Sequence, residues 1–421
     1  MNSSATPAAA LSRDALLERD RQDPLGRFRE RFSLPPNVIY LNGNSLGPPP
    51  HQAFRNVERV LGAEWRDGLS RSWNSAGWFT APSRLGDQLG GLIGAAPGQV
   101  VVTDSTSINL FKVLAAALGQ RPGRRVILSE RDNFPTDLYV SQGLTRFLDQ
   151  GHELRLVDDP AQAVAALDDD VAVVMLTHVN YRTGRMLDMA AITAQAHARG
   201  ALVIWDLAHS AGAVPVDLDA CDVDFAVGCT YKYLNGGPGA PAFVYVAKRW
   251  QALVQQPLSG WWGHARPFAF EVGFEQASDV RGFLCGTQPM LALGAAEAGI
   301  QLAAEAGVAA IRAKSLALTA VFIELLEQHC PVLAATLQTP RQAAARGSQV
   351  SVLHPNGLAI MHALIARGVI GDYREPGLMR FGMAPLYVRY VDMWDAVMHM
   401  RDVMASDVIH QAAGPIGNEV T

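Results

Sequence analysis

The sequence has little that would point to a nucleic acid, a membrane or secretion. No run of Lys or Arg occurs and the formal net charge is -5, so the chain carries no electrostatic footprint for a polyanion. No apolar stretch is long enough to span a bilayer as one helix. The N-terminal stretch lacks the basic segment and apolar core of a secretory signal. We therefore expect a cytoplasmic protein that binds neither nucleic acid nor membrane.

Cysteine is scarce, and the glycine-rich nucleotide motifs are missing. The four cysteines are Cys221, Cys229, Cys285 and Cys330, and no pair has C-x-x-C spacing. Neither a zinc site nor a disulfide framework is therefore expected, and we predict no metal. The absence of Walker and G-x-G-x-x-G patterns argues against a nucleoside triphosphate or a dinucleotide. The 421 residues, 49% of them hydrophobic, suffice for one large domain and a smaller one.

Apolar runs alternate with helical patterns through the first part of the chain. The candidate strands are 100–103, 125–128, 154–157, 171–176, 201–205, 224–229 and 242–247, and helical stretches include 51–67, 107–118, 160–167 and 188–199. Near-continuous apolar strands separated by helices predict an α/β fold, with a mostly parallel central sheet and helices on both faces.

The texture of the sequence changes after Pro289. Residues 290–329 are rich in Ala, Leu and Glu at helical spacing, with one break near Gly307. Shorter strand-like segments follow at 349–353 and 379–382, together with helical patterns at 357–367 and 391–405. This part of the sequence predicts a smaller α+β domain.

Lys232 lies in the stretch GCTYKYLNGGPG, residues 228–239. The apolar run 224–229 precedes it and a Gly/Pro-rich turn follows, so we expect Lys232 at the carboxyl end of a central strand. Ligands bind at that position in open α/β sheets. A lysine buried there is hard to keep charged, and a desolvated amine readily forms a Schiff base.

Two further candidates follow the strand 201–205. Asp206 ends that strand, and one strand–helix–strand connection to Lys232 would place both residues at the same sheet edge. A carboxylate there can pair with the protonated ring nitrogen of pyridoxal phosphate, although a cap or loop acid is the alternative. His209 is either a contact of the cofactor ring or a packed or capping histidine.

Two turns offer contacts for a phosphorylated, planar ligand. Residues Asp104–Ser107 join a strand to a helix, which is either an anion site at a helix N-terminus or simple capping by Ser and Thr. In Asn133–Asp137, Phe134 can stack on a planar ring and Asp137 can form a hydrogen bond beside it. The alternative there is a turn with an apolar plug.

Trp261 and Arg380 are the last candidates that stand on local pattern alone. Trp261 and Trp262 are flanked by glycines that permit close approach, or they form a buried aromatic pair at a domain junction. Arg380 lies in an apolar strand. It is either a bidentate ligand of a substrate carboxylate or part of an internal salt bridge to Glu375 or Asp372.

Long motifs in order make the chain resemble the bacterial kynureninases, which belong to the fold-type I pyridoxal-phosphate enzymes. The resemblance runs nearly end to end and is carried by YLNGNSLG at 40–47, RSWNSAGW at 71–78, TSINLFKVL at 106–114, NFPTDLY at 133–139, VMLTHVNYRTG at 174–184, IWDLAHSAGAVPVDL at 204–218, GCTYKYLNGGPG at 228–239, PLSGWWGH at 257–264, LCGTQP at 284–289 and GVIGDYREP at 368–376. Trp262 departs from the family, where we expect Phe, and leaves the width of the pocket open.

The resemblance implies a role for each candidate. Lys232 would form a Schiff base with pyridoxal 5'-phosphate, Asp206 would pair with the ring nitrogen, and Tyr231 would donate a proton in the later steps. The other implied cofactor contacts are His209 beside the ring, Phe134 stacked on it, Asp137 and Thr177 in the pocket, and Thr106, Ser107, Tyr231, Trp261 and Thr287 at the phosphate, the last two from the partner subunit. The implied substrate contacts are Arg380 at the carboxylate and Asn44, Ser45 and Trp73 around the substrate ring.

The implied reaction is the hydrolysis of L-kynurenine to anthranilate and L-alanine by Cβ–Cγ cleavage, in tryptophan catabolism. Whether 3-hydroxykynurenine is also a substrate stays open. The implied fold has an aspartate aminotransferase-like large domain at 61–295 and a small α+β domain at 296–421, with residues 1–60 packing against the small domain. The implied assembly is a homodimer with active sites at the subunit interface.

Two rival hypotheses are an enzyme of the same fold and a protein of a different class. A cysteine desulfurase or an aminotransferase would share the fold, but a desulfurase needs a cysteine on a mobile loop. Cys229 and Cys285 are expected in core segments, and Cys330 at a helix end. A binding protein that kept the fold without catalysis is disfavoured because Lys232, Asp206 and Arg380 are all present.

Overall fold

The computed structural model describes residues 11–407. The strands, in chain order, are β1 (Ile39–Tyr40), β2 (Val100–Val102), β3 (Val126–Glu130), β4 (Glu153–Val157), β5 (Val171–Thr177), β6 (Leu202–Asp206), β7 (Phe225–Gly228), β8 (Phe243–Val246), β9 (Gln349–Leu353), β10 (Val369–Ile370), β11 (Asp372–Arg374) and β12 (Leu378–Gly382). The helices are α1 (Arg13–Arg21), α2 (His51–Arg59), α3 (Ser72–Ser75), α4 (Ala81–Gly90), α5 (Thr106–Gly119), α6 (Pro135–Leu148), α7 (Pro160–Ala165), α8 (Met189–Ala198), α9 (Lys248–Gln251), α10 (Met290–Ala306), α11 (Val308–His329), α12 (Pro331–Ala334), α13 (Gly357–Ile365) and α14 (Tyr390–Met404).

Seven strands form the central sheet, in the order β2-β8-β7-β6-β5-β3-β4. The neighbours from β4 to β7 are parallel, and β8 runs antiparallel to both β7 and β2. All residues of β5 and β6 are buried, which is the expected property of parallel strands covered on both faces. The predicted α/β fold with a mostly parallel sheet is confirmed, and each of the seven predicted strands is present.

The two faces of the sheet carry separate apolar clusters. Val113 and Leu114 of α5 pack with Val173 of β5 on one face. Val174 and Trp205 lie in the cluster on the other face, with α4 and the C-terminal part of the chain. Burying a side chain of this size contributes about 1.5–3 kcal/mol. Alternate residues of one strand therefore join the sheet to both helical layers.

The C-terminal part forms a smaller α+β unit, as predicted. Helices α10 and α11 meet at Gly307 with a bend of 84°. Strands β11, β12 and β9 form an antiparallel sheet, which packs with α11, α12 and α13. Among the described helices no single one is long and apolar enough to cross a membrane, and only the bent pair α10–α11 meets the length and composition required.

The N-terminal segment packs against this C-terminal unit. The carboxylate of Asp20 accepts hydrogen bonds from the backbone N–H groups of Tyr390 at 2.6 Å and Val391 at 3.0 Å, which satisfies open donors at the start of α14. Strand β1 pairs in parallel with β10. The loop after β1 thereby reaches the edge of both sheets.

One prediction about local structure is wrong, and a second holds with a change of helix type. The connection from β6 to β7 contains turns but no helix; the two ends still share one edge because β6 and β7 are parallel neighbours. The helical pattern 51–67 is α-helical only to Arg59, and the backbone continues as a π-helix over Val60–Gly68.

A buried carboxylate ties together the opposite, amino edge of the sheet. Asp224 accepts hydrogen bonds from Val203 N and His197 Nε2, both at 2.8 Å, and from Arg249 Nη2 and Trp250 Nε1, both at 2.7 Å. Burial pushes the pKa of Asp224 upward, but the hydrogen bond and charge of His197 outweigh it and hold the pKa below its usual range.

We expect Asp224→Asn to lower the free energy of unfolding by about 3–5 kcal/mol, since it leaves buried donors without a charged acceptor. Urea unfolding followed by circular dichroism measures the loss. Asp222→Asn is the matched control: its side chain is 67% exposed and pairs with the same Arg249, so we expect a loss under about 1 kcal/mol. Equal losses in the two variants would contradict this account.

Candidate active site

Lys232 lies at the carboxyl edge of the central sheet, in the turn after β7. Its side chain is buried, with 9% exposure. The turn is fixed by hydrogen bonds from Asn235 N to Lys232 O at 2.9 Å and from Gly47 N to Tyr231 O at 2.8 Å. A Cβ on Gly47 would lie 2.4 Å from Lys232 O, so only glycine allows the predicted loop 40–47 to dock on the lysine turn.

Two buried carboxyl groups lie side by side at the same edge. Asp206 ends β6, in register with Thr177 of β5, and Asp137 lies in the first turn of α6. Burial raises the pKa of Asp137 well above its usual range, and the charge of Asp206 raises it further. Burial also raises the pKa of Asp206, against the opposing effect of Lys232.

This acidic pair fits pyridoxal phosphate. Oδ2 of Asp137 is buried with no partner among the described residues, and a buried polar atom of that kind calls for a ligand. A protonated ring nitrogen would supply both the missing donor and the missing positive charge. Asp206 also accepts from Ala208 N at 2.6 Å, so the loop-acid alternative describes one of its interactions, and the neighbouring carboxyl group of Asp137 provides another.

Phe134 and Tyr181 form an aromatic wall beside Lys232. Their rings meet edge to face at 5.1 Å, and Lys232 Nζ lies 5.7 Å from the centre of the Phe134 ring. Asn133 Oδ1 accepts from Phe134 N at 2.7 Å and also from Thr177 Oγ1. One amide therefore holds the predicted stacking ring and the predicted pocket threonine together.

His209 is buried near the same group of residues. Its Nδ1 lies 3.2 Å from Oε1 of Gln349. Burial lowers the pKa of His209 well below its usual range, and the positive charges of Lys232 and Arg380 lower it further. The imidazole is therefore neutral at physiological pH.

The hydroxyl of Tyr231 contacts the thiol of the buried Cys229. Its ring centre is 5.8 Å from Lys232 Nζ. The neighbouring Cys229 raises the pKa of Tyr231, and burial and Asp206 add to the rise. Tyr231 is therefore a protonated phenol at neutral pH, able to donate.

The turn predicted to bind an anion, Asp104–Ser107, contains both a capping serine and the first residues of α5. Ser105 caps α5 by accepting from Ile108 N at 3.3 Å, which leaves Thr106 and Ser107 as the first residues of the helix. Asp104 adopts φ +48°. The fully buried Lys112 holds it through a 2.7 Å bond to Oδ2 and also donates to Phe283 O at 2.5 Å. An N-terminus with this geometry binds phosphate.

Arg380 forms an internal salt bridge to Asp372, which is one of the two roles predicted for it. It lies opposite Asp372 across the β11–β12 pair, and its Nε donates to Asp372 Oδ1 at 2.6 Å while Nη2 donates to Oδ2. Nη1 donates to the backbone oxygen of Tyr181 at 2.6 Å. The salt bridge fixes the guanidinium plane close enough to His209 to affect its pKa.

Asn44 and Ser45 lie in the loop that docks on the lysine turn. Asn44 has 0% exposure, and neither atom of its amide has a partner in the described part of the chain. A Cβ on Gly382, two positions after Arg380, would lie 2.3 Å from Asn44 Oδ1. Asn44 thus has an unsatisfied buried amide next to the arginine strand, while Ser45 is half-buried.

Trp73, Trp261 and Thr287 lie in a different setting. Trp73 packs against Trp262 at 5.4 Å, and Trp262 stacks on Phe79 at 5.3 Å with an interplanar angle of 6°. Trp261 is 39% exposed and Thr287 is exposed. Exposed residues of this kind fit the prediction that Trp261 and Thr287 serve a partner subunit, which stays a prediction.

Sequence reasoning missed Asn133, Lys112 and Gln349 as contributors to the site. Asn133 and Lys112 lie in motifs that we quoted, and Lys112 carried a signal: it is a charged residue between Phe111 and Val113 in an apolar helix. Gln349 starts an apolar strand and has no comparable signal. Its position depends on the packing of two sheets.

The cysteines do not form a sulfur-acceptor site. Cys229 is buried, as expected, but the expectation of a core position for Cys285 is wrong: Cys285 is half-buried in a loop, with its thiol 3.2 Å from Leu258 O. Burial raises the pKa of Cys285, opposite to an activated thiol. Within residues 11–407 no three His, Cys, Asp or Glu side chains converge as a metal site would require.

Comparison with known proteins gives two consistent results. Residues 311–400 match the kynureninase C-terminal domain family. The chain is 57% identical over 400 residues to the kynureninase of Burkholderia pseudomallei strain K96243, covering 94% of this chain and 96% of that protein. It is 54% identical over 414 residues to the kynureninase of Pseudomonas fluorescens, covering 97% and 100%.

Solved structures similar in fold are more distant in sequence. The apo cysteine desulfurase of Thermococcus onnurineus NA1 aligns with a TM-score of 0.74 at 19% identity, covering 94% of this chain and all of that one. A C-DES variant with glycine covalently linked to its pyridoxal-phosphate cofactor aligns with a TM-score of 0.75 at 18% identity, covering 89% and 99%. At this level of identity the similarity concerns the fold alone.

We predict that Lys112→Met weakens the binding of pyridoxal phosphate about tenfold, a change of about 1.4 kcal/mol. The variant removes the residue that holds Asp104 and a positive charge beneath the anion turn. Fluorescence titration of the apoprotein measures the Kd. Pyridoxal, which lacks the phosphate, is the comparison ligand and should bind both proteins equally; an equal loss for both ligands would show that the effect is not at the phosphate. Lys248→Met, outside this network, is the control variant.

Proposed function

The chain belongs to the kynureninase family, and on that premise we propose how its residues hydrolyse L-kynurenine to anthranilate and L-alanine. The enzyme depends on pyridoxal phosphate, which supplies an electron sink for the bonds broken at the substrate's Cα and Cβ. The observation that carries the assignment of residues is the buried group formed by Lys232, Asp206 and Asp137 at the carboxyl edge of the sheet. The cofactor contacts below are proposals supported by that geometry.

Lys232 is the proposed attachment point and proton carrier. It would hold the cofactor covalently, and its amine, when free, would take the proton from the substrate Cα as a general base and return a proton there before alanine is released. Its position beside the Phe134 ring, with Nζ 5.7 Å from the centre of that ring, supports this role. Asp206, with Asp137 beside it, is proposed to keep the ring nitrogen protonated; the unpartnered Oδ2 of Asp137 supports this.

The remaining cofactor contacts follow the same division of the site. Phe134 is proposed to stack on the ring, with His209 and Thr177 at its edge. The phosphate is proposed to lie at the α5 N-terminus, against Thr106, Ser107 and Tyr231. Trp261 and Thr287 of the partner subunit complete this proposed set.

Tyr231 is proposed to donate the proton that completes the reaction. Water adds to the γ-carbonyl of the substrate, the Cβ–Cγ bond breaks to release anthranilate, and a proton reaches Cβ to give alanine. The position of Tyr231 supports this role, because the centre of its ring lies 5.8 Å from Lys232 Nζ. Arg380 is proposed to take the substrate carboxylate, with Asn44, Ser45 and Trp73 around the aryl ring.

The proposal extends to assembly, location and domain limits. A homodimer with active sites at the interface is supported by the exposed Trp261 and by its exposed neighbours Phe268 and Phe270. We propose tryptophan catabolism in the cytoplasm as the setting. We also divide the chain into 61–295 and 296–421, with 1–60 packing on the latter; the bonds of Asp20 to the start of α14 support that packing.

We expect Lys232→Ala to abolish turnover of kynurenine, because both the covalent attachment and the Cα base are removed. Anthranilate fluorescence measures turnover, and the loss of a borohydride-sensitive absorbance band measures attachment. Lys248→Ala, on the surface of α9, should keep both signals. Full activity of Lys232→Ala would overturn the assignment, and a yellow wild-type protein that leaves kynurenine untouched would overturn the substrate.

For Arg380→Lys we expect kcat/KM to fall about 100-fold, because an ammonium cannot replace the planar guanidinium held by Asp372 and the Tyr181 carbonyl. Arg389→Lys is the matched control: Arg389 also pairs with an aspartate through two nitrogens, at Asp392. The control should keep kcat/KM near the wild-type value. An unchanged value for Arg380→Lys would point to another ligand for the carboxylate.

The choice between kynurenine and 3-hydroxykynurenine is measured by comparing kcat/KM for the two substrates on the same preparation. A ratio close to one would mean that the pocket accepts the extra hydroxyl. The ring of Trp262 is buried against Phe79 and Trp73, so the same comparison also measures its effect on the width of the pocket.

A further inference from the structure

Gln349 connects the two parts of the site but is not among the proposed cofactor and substrate contacts. It is the first residue of β9 in the smaller sheet, and its side chain is buried. Its amide reaches across to the large domain: Oε1 lies 3.2 Å from His209 Nδ1, and Nε2 donates to Tyr181 O at 2.9 Å and to Arg182 O at 3.3 Å.

The orientation of this amide is determined by its partners. Backbone carbonyl oxygens only accept hydrogen bonds, so the NH₂ end of Gln349 must face Tyr181 and Arg182. Its oxygen then faces His209, and the bond requires a proton on His209 Nδ1. Because the imidazole is neutral, His209 Nε2 carries no proton and acts as an acceptor. Gln349 thereby selects the tautomer of the histidine beside the proposed cofactor ring.

The Tyr181 carbonyl is shared between Gln349 and Arg380. It accepts from Gln349 Nε2 at 2.9 Å and from Arg380 Nη1 at 2.6 Å. Nε and Nη2 of Arg380 donate to Asp372, so the guanidinium has two anchors, and one of them depends on a peptide that Gln349 holds. The approach is close: a Cβ on Gly184, in the same segment, would lie 2.8 Å from Gln349 Cγ.

We propose that Gln349 is a positioning residue that links His209, at the cofactor ring, to Arg380, at the substrate carboxylate, through the carbonyl of Tyr181. The inference rests on the proposed roles of His209 and Arg380. It gives a physical reason why the smaller sheet must dock on the large domain: the docked strand completes the orientation of both groups. Removing the link should loosen both ends of the site at once.

Gln349→Met is the first test, because methionine has a similar length but no comparable hydrogen-bonding group. We expect KM for kynurenine to rise about tenfold and kcat to change less than about threefold. We also expect the Kd for pyridoxal phosphate to rise. Gln251→Met is the matched control: Gln251 is equally buried, and its Nε2 donates to Gly98 O at 2.8 Å and Val246 O at 3.0 Å. It should lose stability without a change in KM or Kd.

Gln349→Glu separates the two halves of the link. The carboxylate still accepts from His209 but cannot donate to Tyr181. We therefore expect KM to rise as in Gln349→Met while the proton stays on His209 Nδ1. The tautomer is read from ¹⁵N shifts of histidine-labelled apoprotein, with His209→Asn identifying the signal.

The tautomer measurement does not depend on activity and keeps the two proposals distinguishable. A proton on His209 Nε2 in the wild-type protein would overturn the link, as would an unchanged KM in Gln349→Met or an equal rise of KM in Gln251→Met. A wild-type protein that binds pyridoxal phosphate but does not hydrolyse kynurenine would contradict the proposed function. The tautomers of wild type and Gln349→Met would then still decide whether Gln349 directs His209.

Discussion

The site depends on keeping an amine and two carboxyl groups out of water at one edge of the central sheet. Burial raises the pKa of both Asp137 and Asp206. The two carboxylates can be buried there because Lys232 is near and because a cationic ring would complete their pairing. The parallel order of β5, β6 and β7 brings these groups together. Loop 40–47 docks on the lysine turn through Gly47 and covers this edge of the sheet.

A second constraint joins the two parts of the fold. Tyr181 lies between the parallel sheet and the antiparallel one, with its ring against Phe134 and its carbonyl bound by Arg380 and Gln349. The same short segment therefore contacts the groups proposed for the cofactor ring and for the substrate carboxylate. The two predicted roles of Arg380 are compatible, because the salt bridge to Asp372 holds the guanidinium plane that a bound carboxylate would meet.

Much of the fold could be predicted from local pattern. The apolar runs that form β5 and β6 are buried on both faces. Their prediction therefore did not require deciding which face of each strand packs on the core. The helix expected between Asp206 and Lys232 was wrong because a connection length does not specify its conformation. The end of α2 at Arg59 was also missed, since the apolar spacing continues through a π-helix that a helical pattern does not distinguish. Cys285, placed in a core segment by its apolar neighbours, lies in a loop.

The sequence by itself determined which residues are candidates for the chemistry, because Lys232, Asp206 and Phe134 each lie in a long motif and Arg380 is a charged residue in an apolar strand. It also determined the strands of the central sheet, since near-continuous apolar runs follow directly from burial. Only the tertiary structure decided the partners: that Asp137 lies beside Asp206, that Lys112 supports the anion turn, and that Gln349 faces His209. Asp137 and Asp206 lie far apart in the chain, as do Gln349 and His209, and the contact of Gln349 with His209 comes from how the two sheets pack.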